Sequence, residues 1–408
     1  MSTAGPRHAA IITMLAATLS VAACSTGDGA GTTGSPANSS AATGDGAMAA
    51  ESTTSTVDPT LTIAVAGDVH FTGRTAAHLD APDDLISALQ PLTKADLAVV
   101  NLESAITERG TPEPKQFHFR TPESALTVLD DAGVDVVTLA NNHGVDYGRV
   151  GLQDTLAAQA SSPIPIVGIG SDASAAYAPA MVTVKGQRVA VIGATQVGDR
   201  TVQAWSAGDG EPGVASALQA ERLAQEVRQA RESADIVVVY LHWGVERHSC
   251  PSERQRDLTP ELVEAGADVI VGTHAHQLQG AGWYVQDGTD AYVSYGLGNF
   301  VWWRSNGVPA VTTGVLTLTL DGRRTTQATW TPMRIDDTGI PRVLTGDEAA
   351  QDVADWNDAR ECTGLAADPP SPSGGVDASP GPNSTTGEAS AAEAGSSPAS
   401  RSTAQPAD

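Results

Sequence analysis

Short apolar runs separated by amphipathic stretches set the plan of this chain. Leu61–Ala66, Leu97–Val100, Val134–Leu139, Ile236–Leu241 and Val269–Val271 are almost wholly apolar and mostly rich in β-branched residues. Runs of this kind read as strands buried on both faces of a parallel sheet. Between them, helical spacing of apolar positions predicts helices over Asp83–Gln90, Pro122–Asp131, Gly148–Ala160 and Ala215–Glu232, the last being the longest. A further helix is expected over Ser252–Ala265, interrupted at Pro260. Met181–Val184 and Arg188–Ile192 flank Lys185-Gly186-Gln187 in the manner of a hairpin. From Trp283 onward strands follow closely, with turn signals at Asp287-Gly288 and Asp321-Gly322, and this predicts a second, antiparallel sheet. The chain thus passes from alternating strand and helix to mostly strand, which places it in the α/β class.

The two ends break this pattern. Arg7 and His8 precede an apolar run, Ala9–Ala23, that is short for a membrane span and has the layout of an export signal. Val21-Ala22-Ala23-Cys24 resembles a bacterial lipobox, which implies a lipoprotein signal peptide over 1–24 and a lipid on Cys24. Ordinary cleavage nearby, with Cys24 discarded, is the other reading. Residues 25–58 are Ser, Thr, Gly and Ala with little apolar bulk and are expected to be a disordered tether; 366–408 read as a disordered tail. The folded domain then runs over 59–365. The expected place is outside the cytoplasmic membrane, anchored by the N-terminal lipid. In an exported chain Cys250 and Cys362, the thiols left in the domain, are expected to pair.

Charge narrows the choice of partner. The chain of 408 residues carries a formal charge of -25 and a pI near 4.5, which argues against a nucleic-acid binder. An anionic partner would have to be drawn by something local, such as a bound metal.

The chemistry collects where the apolar runs stop. Five of them end in groups that can bind a metal: Asp68 and His70; Glu103; Asn142 and His143; His242; His274 and His276. Five of the nine histidines stand directly after buried strands. Ligands in open α/β sheets sit beyond the carboxyl ends of strands, so these residues can meet although they span more than 200 positions. Imidazole, carboxylate and amide together suit Zn, Mn or Fe better than Mg or Ca. Gly144, after His143, is able to take backbone angles that other residues avoid.

Six blocks carry a family resemblance: GDVHFTG at 67–73, NLESAIT at 101–107, LANNHGVDYG at 139–148, LHWGVE at 241–246, GADVIVGTHAH at 266–276 and YGLGNF at 295–300. Together they resemble the CapA-type proteins of bacterial poly-γ-glutamate capsule synthesis, and through them the calcineurin-like metallophosphoesterase superfamily. The resemblance implies a four-layer α/β/β/α sandwich of two mixed β-sheets flanked by helices. It also implies two divalent metal ions, held by Asp68, His70, Glu103, Asn142, His242, His274 and His276. Glu103 stands where the superfamily has a bridging aspartate, and Asn141 where it has a glycine. His143 would contact substrate and protonate a leaving group, oriented by Asp146, for which a turn or cap is the alternative role. Trp243, Trp302 and Trp303 flank motif positions and could wall a polymer site, or could simply pack.

The function this implies is a lipid-anchored protein with a two-metal site, acting in synthesis, export or retention of a surface polymer such as poly-γ-glutamate. Its partners would be an anionic polymer or phosphoester substrate, the capsule synthesis and export machinery, and the membrane. The alternatives are a metal-dependent phosphoesterase of the cell envelope unrelated to capsule, and a surface binding module without turnover.

Overall fold

The computed structural model describes residues 60–371, apart from 287 and 306. The signal segment with Cys24, the tether and most of the tail lie outside the described residues.

The apolar runs form two mixed sheets. In the first, eight strands include a parallel set made of Thr60–Val69, Leu97–Leu102, Val136–Thr138 and Ile166–Val167. In the second, six strands place Gln187–Thr195, Ile236–Trp243 and Val269–His274 side by side and parallel. Alternation within one strand explains the layering. Leu61, Ile63 and Val65 join Val191, Val238 and Val271 in a core between the sheets. Ala64, Ala66 and Val69 face the other way, toward helices Asp83–Thr93 and Ser124–Ala132. On the far side, helices Ala220–Ser233 and Glu253–Ala265 cover the second sheet with Leu223, Val227, Leu258 and Leu262. Helices therefore flank two mixed sheets, in the expected four layers.

Several expectations change in detail. The crowded strands after Trp283 do not make a sheet of their own. The hairpin Leu278–Gln286/Thr289–Leu297 extends the second sheet, whereas Thr312–Asp321/Arg324–Ile335 extends the first. Both hairpins are antiparallel, and each is spent on capping an edge of a parallel set. Pro260 does not interrupt its helix, which runs unbroken from Glu253 to Ala265. The bond that proline forfeits would have gone to the carbonyl of Arg256, an exposed residue where water can substitute. The helix expected from Ala215 starts at Ala220, because the preceding backbone is used elsewhere: Ala215 N–H donates to Gly168 O and Ala217 N–H to Thr195 O. Ala366, in the stretch read as tail, exchanges both backbone hydrogen bonds with Trp283.

Cys250 and Cys362 form a disulfide across 112 residues, tying the loop after the Ile236–Trp243 strand to the turn after helix Gly346–Asp358. Among the described residues no helix is long and apolar enough to cross a membrane.

Candidate metal centre

The carboxyl ends of both parallel sets face the same seam, and the register there is tight. Asp68 lies level with Asn101 on one side and Asn299 on the other, with irregularities in the pairing at this point. Such bulges re-aim side chains. Gly67 is required here: a Cβ on it would stand 2.1 Å from Gly298 O, so only a bare backbone lets the Asn299–Val301 strand lie alongside. On the second sheet His242 is level with Thr273 and Trp243 with His274.

Asp68, His70, Glu103 and His242 are buried, and Asn142, His143 and His274 nearly so. His242 is the hub. Its Nε2 is 2.9 Å from Asn142 Oδ1 and 3.5 Å from Glu103 Oε1, and its Nδ1 is 3.6 Å from Asp68 Oδ1. Asn101 donates to Asp68 Oδ1 at 2.8 Å and lies 3.2 Å from His242 Nδ1. His276 Nδ1 is 3.6 Å from Asp68 Oδ2 and 2.9 Å from Asn299 Oδ1.

The two neighbouring asparagines have separate tasks. Asn141 donates to Asn101 Oδ1 and Leu102 O and accepts from the His143 N–H, so its amide is consumed within the protein. Asn142 turns its carbonyl oxygen to His242 and the cluster. Gly144 serves by lack of bulk, since a Cβ there would meet Leu139 O at 2.7 Å; its backbone is not in the left-handed region. The strained residues are His274 and His276, with φ of 90° and 54°. Non-glycine residues held there cost about 1–3 kcal/mol each, and such strain is tolerated where the site depends on it.

Two triads of ligand atoms result, each with its three atoms within 4.8 Å of one another: Glu103 with His242 and His274, and Asp68 with Glu103 and His276. Glu103 belongs to both. It is fully buried, and neither of its oxygens has a hydrogen-bond partner among the described residues; His274 Nδ1 and His70 Nδ1 are equally unpartnered. A buried carboxylate in that state costs several kcal/mol unless a cation compensates it. The donor set therefore fits divalent metal.

His70 belongs to neither triad. Its ring packs against Phe119 and Trp302 at centroid distances of 4.5 and 4.4 Å, and its Nε2 accepts from the Trp303 N–H at 3.3 Å. His143 also stands outside both. Its Nδ1 is 2.6 Å from Asp146 Oδ2, and its Nε2 points to Glu103 Oε1 at 3.7 Å. Asp146 accepts from the Phe119 N–H as well and pairs with Lys115 Nζ at 2.5 Å. Lys115 also donates to Asn142 O.

Burial decides the protonation of this group. It pulls His70, His143 and His274 well below the usual histidine range, with Lys115 adding to the effect on His143, and it brings His242 down to about 4. Neutral imidazole is the metal-binding form. Burial would lower His276 too, but Glu103 and Asp68 outweigh it and the result is a rise. Burial, with Glu103 alongside, raises Asp68; burial raises Glu103 and, against the pull of Lys115, lifts Asp146 to about 6.

A cleft of about 200 Å³ opens over the cluster, lined by His143, His276, Asn299, Phe119, Trp302 and Trp303 among others. Trp243 is not part of its wall. It is buried under the second sheet, donates to Tyr295 O, and fits only because Gly272 has no side chain. Asn101, Lys115 and Phe119 escaped the sequence reading. Asn101 stands at a strand end and was within reach of the same criterion; Lys115 sits in a loop with no pattern to mark it.

The model of the bacterial capsule synthesis protein family PGA_cap matches residues 62–302, a stretch that contains every ligand named above. The chain belongs to this family. A PGA biosynthesis protein CapA from Bacillus subtilis (strain 168) is 35% identical over 223 residues, covering 54% of this chain and 57% of that protein. A capsule biosynthesis protein CapA from Bacillus anthracis is 37% identical over 191 residues, 46% of this chain and 44% of its own. The PGA_cap member described here thus spans about half the length of these curated relatives. Among solved structures, the calcineurin-like phosphoesterase YfkN from Bacillus subtilis aligns with 74% of this chain and 99% of its own, at 15% identity and a TM-score of 0.38.

Proposed function

We propose that this family member is an exported, lipid-anchored hydrolase with a two-metal centre, acting in synthesis, export or retention of a surface polymer such as poly-γ-glutamate. The observation that carries the metal centre is Glu103, buried, without a hydrogen-bond partner among the described residues, and shared by two triads. The polymer comes from the names of the relatives, PGA biosynthesis and capsule biosynthesis proteins.

Asp68, Glu103 and His276 would hold one ion, and Glu103, His242 and His274 the other, with Asn142 beside His242. His70 is the remaining candidate ligand, through its Nδ1, which has no hydrogen-bond partner among the described residues. Divalent ions held there would supply Lewis acidity and a water that ionises near neutral pH. The chain supplies the rest. Asp146 fixes the His143 proton on Nδ1 and turns Nε2 toward the cluster. Burial keeps that imidazole neutral, so its Nε2 would accept the proton lost by the attacking water and pass that proton to the leaving group. Phe119 and Trp302 cover the histidines and exclude water from their far side.

Metal analysis tests the reading. Protein purified without chelator is expected to retain close to two transition-metal ions, and Glu103→Gln to lose both. A wild type that carries none and takes up none on titration with Mn or Zn would remove the centre. Failure to turn over any compound in a broad phosphoester screen by the loaded protein would leave a binding role in place of hydrolysis.

A further inference from the structure

One wall of the cleft has a feature that the metal chemistry does not use. Arg304 lies flat over aromatic rings, its guanidinium carbon 3.9 Å from the centre of Trp303 and 5.1 Å from that of Phe117. Those rings are anchored in turn: Trp303 packs on Phe119 and donates its backbone N–H to His70, so the shelf is continuous with the ligand cluster. Arg304 makes no ion pair among the described residues, and neither does Arg247, whose side chain lines the same cleft. Eight of the eighteen described arginines pair with a carboxylate; Arg304, at the mouth of the site, is held by aromatic rings instead. Stacking leaves the donor edge of the guanidinium open while fixing its plane.

We infer that Arg304, held on the Trp303–Phe117 shelf, is a specificity-determining residue that binds a second carboxylate of the substrate, beyond the group engaged at the Glu103 cluster. The proposal rests on the hydrolytic reading above and names its substrate class: an oligomer with one carboxylate per repeat, long enough to reach from the cluster to the shelf. A planar guanidinium matches one carboxylate through two parallel hydrogen bonds. The lining is mixed, with Phe117, Phe119, Trp302, Trp303 and Pro309 alongside Arg247, Gln277 and Asn299, so a phosphate subsite is the competing outcome of the test below. Glu246, also at the cleft, keeps it from being a general sink for anions. The apolar shelf suits the methylene links between acidic groups.

Calorimetric binding by the full chain separates this from the metal reading. The probes are a γ-linked glutamate hexamer, the neutral γ-linked glutamine hexamer, tripolyphosphate and inorganic phosphate. Wild type is expected to bind the acidic hexamer more tightly than the neutral one. Arg304→Met, which keeps the bulk on the shelf, should weaken the acidic hexamer by about tenfold to a hundredfold. It should leave the affinity for inorganic phosphate and the metal content as they are, and Arg304→Lys should recover part of the loss. Equal affinity of wild type and Arg304→Met for the acidic hexamer would overturn the proposal, as would no binding of it by wild type. A larger loss for tripolyphosphate than for the hexamer would also overturn it, in favour of a phosphate subsite. Loss of metal and of phosphate binding in Glu103→Gln tests the centre alone, so the two ideas fail separately.

Discussion

His143 is held by a carboxylate that is itself held by a lysine, and none of the three belongs to either ligand triad. This separates its role from that of the histidines beside it. His143→Ala is expected to keep its metal while turnover falls by about 10²–10⁴-fold, the usual worth of a positioned acid or base. His274→Ala should release metal. Metal content and steady-state rates on the same preparations check both, and loss of metal from His143→Ala would make that residue a ligand or a scaffold instead. At this scale the sequence is informative about residue type and weak on partnership. A histidine after a buried strand is visible as a candidate, but whether it faces its neighbour's ring or a carboxylate depends on register. The resemblance sets Asn142 apart from Asn141, but only the hydrogen bonds show that Asn141 is consumed within the protein while Asn142 turns its oxygen to His242.

At the level of elements, the parallel strands were legible because burial on both faces leaves an apolar run that few other structures produce. Their ends were legible too, since polar groups interrupt those runs where the backbone leaves the core. The sheet to which each hairpin belongs was not. Turn signals at Asp287-Gly288 and Asp321-Gly322 fix a reversal of direction, yet sheet membership is decided by edges that lie far away in the chain. Pro260 misled for a related reason: the cost of a proline depends on whether solvent can reach the carbonyl it abandons. The disulfide belongs to this scale. It joins the loop carrying Glu246 and Arg247 to the turn after the last helix, and Arg256 donates to Cys362 O beside it. Closing a loop of this length stabilises by about 2–5 kcal/mol. Cys362→Ser should therefore lower the urea midpoint, and reductant should do the same to wild type; midpoints that coincide with and without reductant would contradict this.

For the whole molecule, the decisive arrangement is that each triad draws ligands from both sheets. Asp68 and Glu103 come from the first, His242, His274 and His276 from the second. The proposed lipid anchor on Cys24 bears on where the molecule resides. Cys24→Ser is expected to move the protein from the membrane fraction to the medium or periplasm, and fractionation with mass analysis of the mature N-terminus checks it. Continued membrane retention, with no lipid on the wild type, would exclude the anchor. The order of strands carries one more consequence. Among the described residues Thr60–Val69 is the first strand to be made, yet it sits inside its sheet, between Leu97–Leu102 and Thr312–Asp321. One edge of it must stay open until roughly 250 further residues have been synthesised, and closing a loop of that length is slow. Its sheet therefore cannot close on that side until the Thr312–Asp321 strand has emerged from the ribosome. Were the chain exported as an extended thread, as proposed, this topology would supply the delay that crossing needs.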